Sequence, residues 1–343
     1  MKHCLVTLLT LFLGFPVLAQ EIKIYTWDAF LSENVVNQFT KKTGHTVTQY
    51  FFDNEIERNA ILMSGQGDKF DLILMDHLRA QEYGKLNKLR SLSNLNIANQ
   101  QYNSIQSRNS CGQYGIPYAQ GVMGIVHRKS VSLKQIDSWN DLLNPAPEHV
   151  GGTIMHKDDI DTTAIALIAL GLDPFTEDKA DLKKAYDLLT KQSDKIEQYA
   201  YPISYLTNAT STAKLSLSFA YSGDLFNIKK LSGYDDWEFV IPKEGTVLFV
   251  DCFSLPKLMA VKDATLAFIS YINSPEIAAK NAQEMWFATT NEGALPLLSD
   301  EYKNDKELIQ NPNQMSKTYQ YKSTSNPAYI LRNKMISMLH TKE

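Results

Sequence analysis

Aromatic side chains and carboxylates recur together next to the apolar runs that are predicted as strands. Trp27 and Asp28 follow one such run, residues 22–25, and Tyr221 and Asp224 follow another. An aromatic ring attracts a cation through its quadrupole, and a carboxylate binds an ammonium group through a charge-assisted hydrogen bond. Open α/β sheets bind ligands at the carboxyl ends of their strands. These pairs therefore indicate a site for a small organic cation.

Further aromatic and acidic residues follow the same pattern: Asp76, Asp158, Asp159, Phe249, Asp251, Trp286 and Phe287. Each of them alone has a structural alternative that is at least as common. An Asp at a strand end is often a helix N-cap, and Asp158 or Asp159 precedes a predicted helix. Aromatic residues more often pack in a core than bind a ligand. The binding hypothesis depends on their number and shared placement.

Motifs of the common catalytic classes are absent from the sequence, which contains no GxSxG, HExxH, Walker loop or strand-linked GxGxxG. The seven histidines are scattered, and His77 alone follows a strand near the predicted cleft. Such a histidine is more often structural than catalytic. We predict neither an enzyme nor a cofactor or metal site. Asn208-Ala209-Thr210 matches a glycosylation triplet, a pattern that also occurs by chance.

The first 19 residues are predicted to be a signal peptide. Lys2 supplies its charge, residues 5–18 are almost wholly apolar, and cleavage is expected after Ala19. The apolar run is too short to span a bilayer comfortably. The mature chain is therefore expected in the periplasm as a soluble protein. Loss of Lys2 makes the formal net charge of −4 one unit more negative, which argues against nucleic-acid binding.

Cys111 and Cys252 remain in the mature chain. In an oxidising compartment they could form a bridge, but two separately buried thiols are equally compatible with the sequence. Neither cysteine has the spacing of a metal site.

The order of apolar runs predicts an α/β protein with two lobes. Strands at 22–25, 46–52 and 70–75 alternate with helices at 32–42 and 55–63, as in βαβ units. Extended segments at 118–126 and 247–253 are predicted to cross between the lobes. The expected boundaries are 20–119 for the first part of lobe 1, 120–246 for lobe 2, 247–293 for the return to lobe 1, and 294–343 for a C-terminal segment packing on lobe 2.

The motifs of this chain resemble those of the periplasmic polyamine-binding proteins, the spermidine/putrescine group of ABC importers. The resemblance covers residues 22–320 and lies in YTWDAF (25–30), FDLI (70–73), GIPY (115–118), SWNDL (138–142) and IPKEG (241–245). It implies a two-lobed periplasmic solute-binding fold with a ligand cleft. In this family, aromatic rings enclose the methylene chain of the ligand and carboxylates bind its ammonium groups.

Carried over by position, the resemblance implies a set of ligand-binding residues in this chain. Trp27, Phe30, Tyr221, Phe249 and Phe287 correspond to aromatic walls, and Asp251 to the main amine-binding carboxylate. Asp159 corresponds to a second carboxylate, and Gln320 to a polar contact. Asp28 and Asp76 stand where the family usually has a hydroxyl residue, and Thr162 where it often has a glutamate, so the carboxylates are redistributed.

The resemblance leaves two roles open for a monomeric polyamine-binding protein. The first is delivery of spermidine, norspermidine or putrescine to the permease of an ABC importer. The second is ligand-responsive docking on a membrane GGDEF/EAL signalling receptor, as in norspermidine sensors of this family. A binder of another solute, such as ferric ion or a sugar, and an exported enzyme are the alternatives from other classes.

Overall fold

The computed structural model describes residues 18–28, 30–52, 55–208, 214–305, 308 and 317–340. Nearly all of the predicted signal peptide, and Ala209 and Thr210 of the glycosylation triplet, lie outside these residues. No helix in the described part of the chain is long and apolar enough to cross a membrane.

The strands belong to one continuous hydrogen-bonded network. They are β1 (Glu21–Thr26), β2 (Thr46–Phe51), β3 (Leu72–Asp76), β4 (Ile116–Arg128), β5 (Thr153–Met155), β6 (Gln198–Tyr199), β7 (Leu217–Tyr221), β8 (Trp237–Val240), β9 (Thr246–Ser254), β10 (Ala288–Thr289) and β11 (Thr318–Gln320). Their main order is β2-β1-β3-β9-β4-β7-β5-β6, with β10 and β8 paired to β4 and β11 paired to β9.

The α-helices cover the faces of this network. They are α1 (Glu33–Thr43), α2 (Glu55–Met63), α3 (His77–Lys85), α4 (Ile105–Cys111), α5 (Trp139–Leu143), α6 (Asp159–Ala169), α7 (Lys179–Ser193), α8 (Pro202–Asn208), α9 (Asp224–Ser232), α10 (Asp263–Ile272), α11 (Pro275–Met285), α12 (Asp300–Asn304) and α13 (Asn326–His340).

The strands β4 and β9 join the two lobes, and they contain the two predicted crossing segments. In lobe 1, β1 pairs in parallel with β2 and β3, and β3 pairs antiparallel with the second half of β9. In lobe 2, the second half of β4 pairs with β7 and β8. Between the lobes, β4 and β9 pair with each other. The predicted two-lobed α/β fold is confirmed.

Local signals in the sequence explain several helix ends. The Ser32 side chain accepts a hydrogen bond from Val35 N at 3.3 Å and so caps α1. Gly44 ends the same helix in the left-handed region at φ 77°, which favours glycine. Of the two capping candidates in the sequence, it is Asp158 that caps α6, by accepting from the backbone N–H groups of Ile160 and Asp161.

Each lobe has its own apolar core. The lobe 1 core combines Ile22 and Ile24 of β1 with Phe39 of α1 and Phe268 of α10. The lobe 2 core is built from both faces of the apolar helix α6, with contributions from α7 and α13. A buried core in each lobe holds the cleft-facing strand ends in fixed positions.

The C-terminal segment differs from the predicted boundary at residue 294. Ala294, Leu298 and Tyr302 are buried in the lobe 1 core. Within the described residues, the segment packs on lobe 2 from β11 onward, and Met335 and Leu339 of α13 join the lobe 2 core. Residues 294–304 stay with lobe 1 because their apolar side chains cover α11, which precedes them in the chain.

Cys111 of α4 and Cys252 of β9 form a disulfide, with their Cα atoms 6.0 Å apart. This settles the choice between a bridge and two thiols. The bond joins a lobe 1 helix to one of the two strands that connect the lobes.

Candidate ligand-binding site

A cavity of about 170 Å³ lies between the two lobes. Most of the predicted site residues line it: Trp27, Asp28, Phe30, Asp76, Tyr221, Phe249, Asp251 and Phe287. Trp27 and Asp28 follow the end of β1, Asp76 ends β3 and Tyr221 ends β7. Phe249 and Asp251 lie within β9 instead of at its end. Strand ends and one crossing strand therefore bring distant parts of the chain to one cavity.

Aromatic rings form walls on both sides of the cavity. On the lobe 1 side, Trp27 packs on Phe52 with ring centroids 4.4 Å apart, and Phe30 packs on Phe287 at 5.1 Å. On the other side, Tyr221 meets the edge of Phe249 at 5.2 Å. Such walls suit an apolar chain that carries cationic groups.

The position of the Phe249 ring depends on a glycine in the facing strand. Gly121 of β4 is opposite Phe249 in the strand register. A Cβ atom at Gly121 would lie 2.5 Å from the Phe249 ring and 2.5 Å from Ser222 Oγ. Gly121 is therefore needed for close packing, and the same holds for Gly124, whose Cβ would meet Phe239.

Asp251 is a buried carboxylate without a partner cation. It is 8% exposed, and among the described residues its carboxyl has neither a hydrogen-bond donor nor an ion-pair partner. Burial is the largest cause that raises the pKa of Asp251 to about 8, and the nearby charges of Asp76 and Glu55 act in the same direction. Such a carboxyl gains most from a cationic ligand.

Asp76 is opposite Asp251 in the pairing of β3 with β9, but its environment differs. Its Oδ1 accepts from Arg79 N at 3.0 Å and so caps α3. Its Oδ2 lies 3.7 Å from the buried Arg58 guanidinium, which also pairs with Glu55 at 3.3 Å. Asp76 is thus largely engaged by the protein, and its main contribution is negative charge beside Asp251.

Asp161 contributes a carboxylate from lobe 2 that the sequence prediction did not include among the site residues. The Tyr221 hydroxyl donates to its Oδ2 at 2.6 Å, and the Tyr321 hydroxyl donates to its Oδ1. Burial raises the pKa of Asp161 to about 7, although the two tyrosine hydrogen bonds act in the opposite direction. Tyrosine hydroxyls orient this carboxyl at the cavity wall without neutralising it.

Asp224 stands at the first position of α9 and also lines the cavity. Its Oδ1 accepts from the Tyr201 hydroxyl at 2.6 Å, and its Oδ2 accepts from Tyr221 N at 2.8 Å. Burial raises its pKa to about 7. Tyr221 therefore donates hydrogen bonds to both carboxyls, to Asp161 from its hydroxyl and to Asp224 from its backbone N–H.

Two predicted site residues do not line the cavity, and their near neighbours do. Asp159 accepts from Asn333 Nδ2 at 3.2 Å, on the side of α6 that meets α13. Residues two apart on a helix face nearly opposite directions, so Asp161 reaches the cavity instead. Gln320 is exposed at the end of β11, and Tyr321, the next residue, lines the cavity. Side chains alternate in extended chain, which explains why Tyr321 and not Gln320 faces the cavity.

Other residues at the cavity were not among the predicted site residues. Three of them follow strand ends: Phe52 comes after β2, His156 after β5 and Tyr201 after β6. These positions could have been found by applying the strand-end criterion to the shorter strands as well. Glu55 of α2 and Asn227 of α9 lie on helices, and only the packing of these helices against the strand ends brings them to the cavity.

The protein has two α/β lobes, which two long strands join, and an acidic, aromatic cavity between them. This arrangement defines a two-lobed solute-binding protein. Solved structures share this fold. An ABC transporter protein from Listeria monocytogenes superposes with a TM-score of 0.84 at 23% identity, covering 94% of this chain and 99% of that one. The MotA binding protein of A. tumefaciens, solved with glucopine, gives 0.74 at 14% identity, covering 93% and 99%.

Residues 34–310 match the family described as bacterial extracellular solute-binding protein, and the chain belongs to this family. It is 31% identical to a norspermidine sensor of Vibrio cholerae over 287 residues, which cover 84% of this chain and 79% of that protein. It is 25% identical to the putrescine-binding periplasmic protein SpuD of Pseudomonas aeruginosa over 321 residues, which cover 88% and 86%.

Proposed function

We propose that this chain binds a polyamine, such as spermidine, norspermidine or putrescine, in the cavity between its lobes. The observation that carries the proposal is Asp251, a buried carboxyl with no partner cation among the described residues, set between aromatic walls. The names of the related proteins support the same ligand class.

A polyamine fits this arrangement for a physical reason. Its ammonium groups are separated by methylenes, so it needs carboxylates at intervals and an apolar surface between them. Asp251, Asp161 and Asp224 supply acidic groups from both lobes, and Trp27 and Tyr221 supply apolar faces. Each ammonium removed from water requires an acceptor, because an unpaired buried charge is costly.

Calorimetric titration of the purified mature chain tests this proposal. The ligands are putrescine, norspermidine, spermidine and spermine, and a linear diol of similar length is the neutral control. We expect one-to-one binding of at least one amine and none of the diol. A folded protein that gives no heat with any of the amines would refute polyamine binding.

We also propose that the chain is exported to the periplasm with removal of residues 1–19, which is supported by the apolar leader and by the extracellular solute-binding family. Mass spectrometry of the protein from a periplasmic extract should give a mature N-terminus at Gln20. A chain that keeps its first 19 residues would contradict this. The same preparation tests whether the protein is a binder and not an enzyme, because a bound polyamine should be recovered unchanged after long incubation.

The role that we propose for the bound state is delivery to the permease of an ABC importer, by a protein that acts as a monomer. A sensor role is the second candidate, and the 31% identity with the norspermidine sensor favours it specifically. Cross-linking in living cells, with and without norspermidine, separates the two. Ligand-dependent capture of an importer permease supports delivery, whereas capture of a GGDEF/EAL receptor supports sensing.

A further inference from the structure

Arg58 of α2 is a buried cation beside the acidic cavity. The described residues that line the cavity include no lysine or arginine but six acidic ones: Asp28, Glu55, Asp76, Asp161, Asp224 and Asp251. The Arg58 guanidinium lies 3.3 Å from Glu55 Oε1 and 3.7 Å from Asp76 Oδ2. The side chains of Glu55 and Asp76 are 25% and 12% exposed, whereas that of Arg58 is 1% exposed. A ligand in the cavity can therefore approach these two carboxyls, while Arg58 stays covered.

The contacts of Arg58 are those of a bound organic cation. Besides the two carboxyls, its guanidinium lies 5.5 Å from the centroid of the Phe52 ring. Phe52 lines the cavity and packs on Trp27. Carboxylates and ring faces are also the groups that bind an ammonium group of a ligand. Arg58 therefore uses the same kinds of protein groups that a ligand ammonium would use.

The charge of Arg58 also acts on Asp251, which is opposite Asp76 in the pairing of β3 with β9. Burial raises the pKa of Asp251 to about 8, and the charge of Arg58 opposes this effect. One guanidinium thus offsets one of the three negative charges that Glu55, Asp76 and Asp251 carry when they are ionised. Without Arg58, this part of the cavity would be more negative by one unit and would attract additional cationic groups.

We propose that Arg58 sets the charge selectivity of the cavity: by occupying Glu55 and Asp76, it favours linear diamines and triamines over tetraamines. The inference rests on the proposed function, which supplies an amine ligand. Each further ammonium group must be removed from water, and it needs a carboxylate in return. Because Glu55 and Asp76 share the guanidinium, they are not available to an additional ammonium group. Arg58 is therefore a specificity-determining residue that the ligand does not touch.

Calorimetric titration of the mature chain with spermidine and spermine at pH 7 tests the proposal, since spermine carries one more ammonium group. We expect the wild-type protein to bind spermidine more tightly. Arg58→Met removes the charge and keeps an unbranched side chain, and it should raise the affinity for spermine relative to spermidine about tenfold or more. Arg58→Lys keeps the charge and should stay within about threefold of the wild-type ratio. A merely structural role would weaken both amines by the same factor.

Glu55→Gln is the second variant, because removal of one partner from a buried ion pair can prevent folding of Arg58→Met. It keeps Arg58 and removes one negative charge, so it should weaken binding of spermine more than binding of putrescine. Glu57→Gln, on the same helix but not at the cavity, is the matched control and should leave the relative affinities unchanged.

The proposal is overturned if wild-type protein prefers spermine, if a folded Arg58→Met protein keeps the wild-type ratio, or if Glu55→Gln weakens all the amines equally. A wild-type protein that binds none of these amines would instead refute the proposed function on which this inference rests.

Discussion

The preference of the site for a cation depends most strongly on Asp251. Arg58 forms ion pairs with Asp76 and Glu55, whereas Asp251 forms no ion pair among the described residues and its pKa is lowered only partly by the charge of Arg58. We expect Asp251→Asn to weaken polyamine binding at least tenfold. A hydrogen bond to a charged group contributes about 1.5–3 kcal/mol, and a factor of ten corresponds to about 1.4 kcal/mol.

The same variant should not destabilise the ligand-free protein, because it removes a carboxyl that burial makes costly to ionise. Calorimetry gives the affinity, and thermal unfolding at pH 8 gives the stability. Asp187→Asn, on the exposed face of α7, is the control with the same loss of charge. Full affinity in a folded Asp251→Asn protein would remove this residue from the site.

Some of the residues that line the cavity could be predicted from the sequence, and others could not. Trp27 after β1, Tyr221 at the end of β7 and Asp76 at the end of β3 could be placed at the cavity because strand ends meet there. The choice between Asp159 and Asp161 could not be made, because both precede or open the same helix. Only the direction of α6 relative to α13 decides which one faces the cavity.

At the level of elements, the crossing strands could be predicted from the sequence, but the residues that pack against them could not. The apolar runs in β4 and β9 predicted extended segments that cross between the lobes, but not the side chains against which these strands pack. In the structure, Gly121 and Gly124 lie inside the strand, where they allow Phe249 and Phe239 to pack closely. This packing depends on contacts between residues that are more than one hundred positions apart in the sequence. A local sequence pattern cannot predict such contacts.

The disulfide between α4 and β9 supports the strand that carries Asp251, since Cys252 is the next residue. We expect the double variant Cys111→Ala, Cys252→Ala to lose about 2–5 kcal/mol of unfolding free energy, the usual cost for a native bridge. Because β9 also carries Phe249, affinity for the polyamine should fall as well. Denaturant unfolding and calorimetry measure the two effects.

Reduction of the wild-type protein under mild denaturing conditions provides the matched control for the alanine variant. It removes the same bond without removing the two sulfur atoms from the core. Equal unfolding midpoints for the oxidised, reduced and alanine forms would contradict a stabilising role for the bridge.

At the scale of the whole molecule, the acidic groups of both lobes couple ligand binding to pH. Burial raises the pKa of Asp251 to about 8 and those of Asp161 and Asp224 to about 7. Because these values exceed the usual Asp value of about 3.9, the ligand-free folded state holds more protons than the unfolded state. Its stability should therefore fall as the pH rises from about 4 to about 8.

In the ligand-free protein these buried carboxyls prefer to be protonated. A bound polyamine favours their ionised form instead, because its ammonium groups are attracted to carboxylates. Binding should release protons near pH 7, and affinity should increase from pH 6 to pH 8. Titration at pH 7 in two buffers with different ionisation enthalpies measures the number of protons released. We expect Asp251→Asn to release fewer, and identical binding heats in both buffers would contradict the coupling.

Contacts between the lobes across the cavity indicate how closure depends on the ligand. Trp27 of lobe 1 lies 6.1 Å from Tyr201 of lobe 2, and Phe226 of α9 stacks on Trp286 at 5.7 Å. The Arg79 guanidinium of α3 also lies 5.1 Å from the Tyr329 ring of α13. These contacts join residues of different lobes, so an open state would lose them, and the carboxylates of both lobes would be separated from a shared ligand.

We therefore expect saturating spermidine or norspermidine to reduce the radius of gyration in small-angle scattering, without changing secondary structure. Phe226→Ala should speed ligand release by about two- to tenfold, because an aromatic pair contributes about 0.5–1.5 kcal/mol beyond its buried area. Leu231→Ala, exposed on the same helix, is the matched control and should release ligand at the wild-type rate. If the radius of gyration stays constant and Phe226→Ala behaves like Leu231→Ala, the lobes do not close in response to ligand. A membrane partner would then have to detect occupancy through the cavity rim itself.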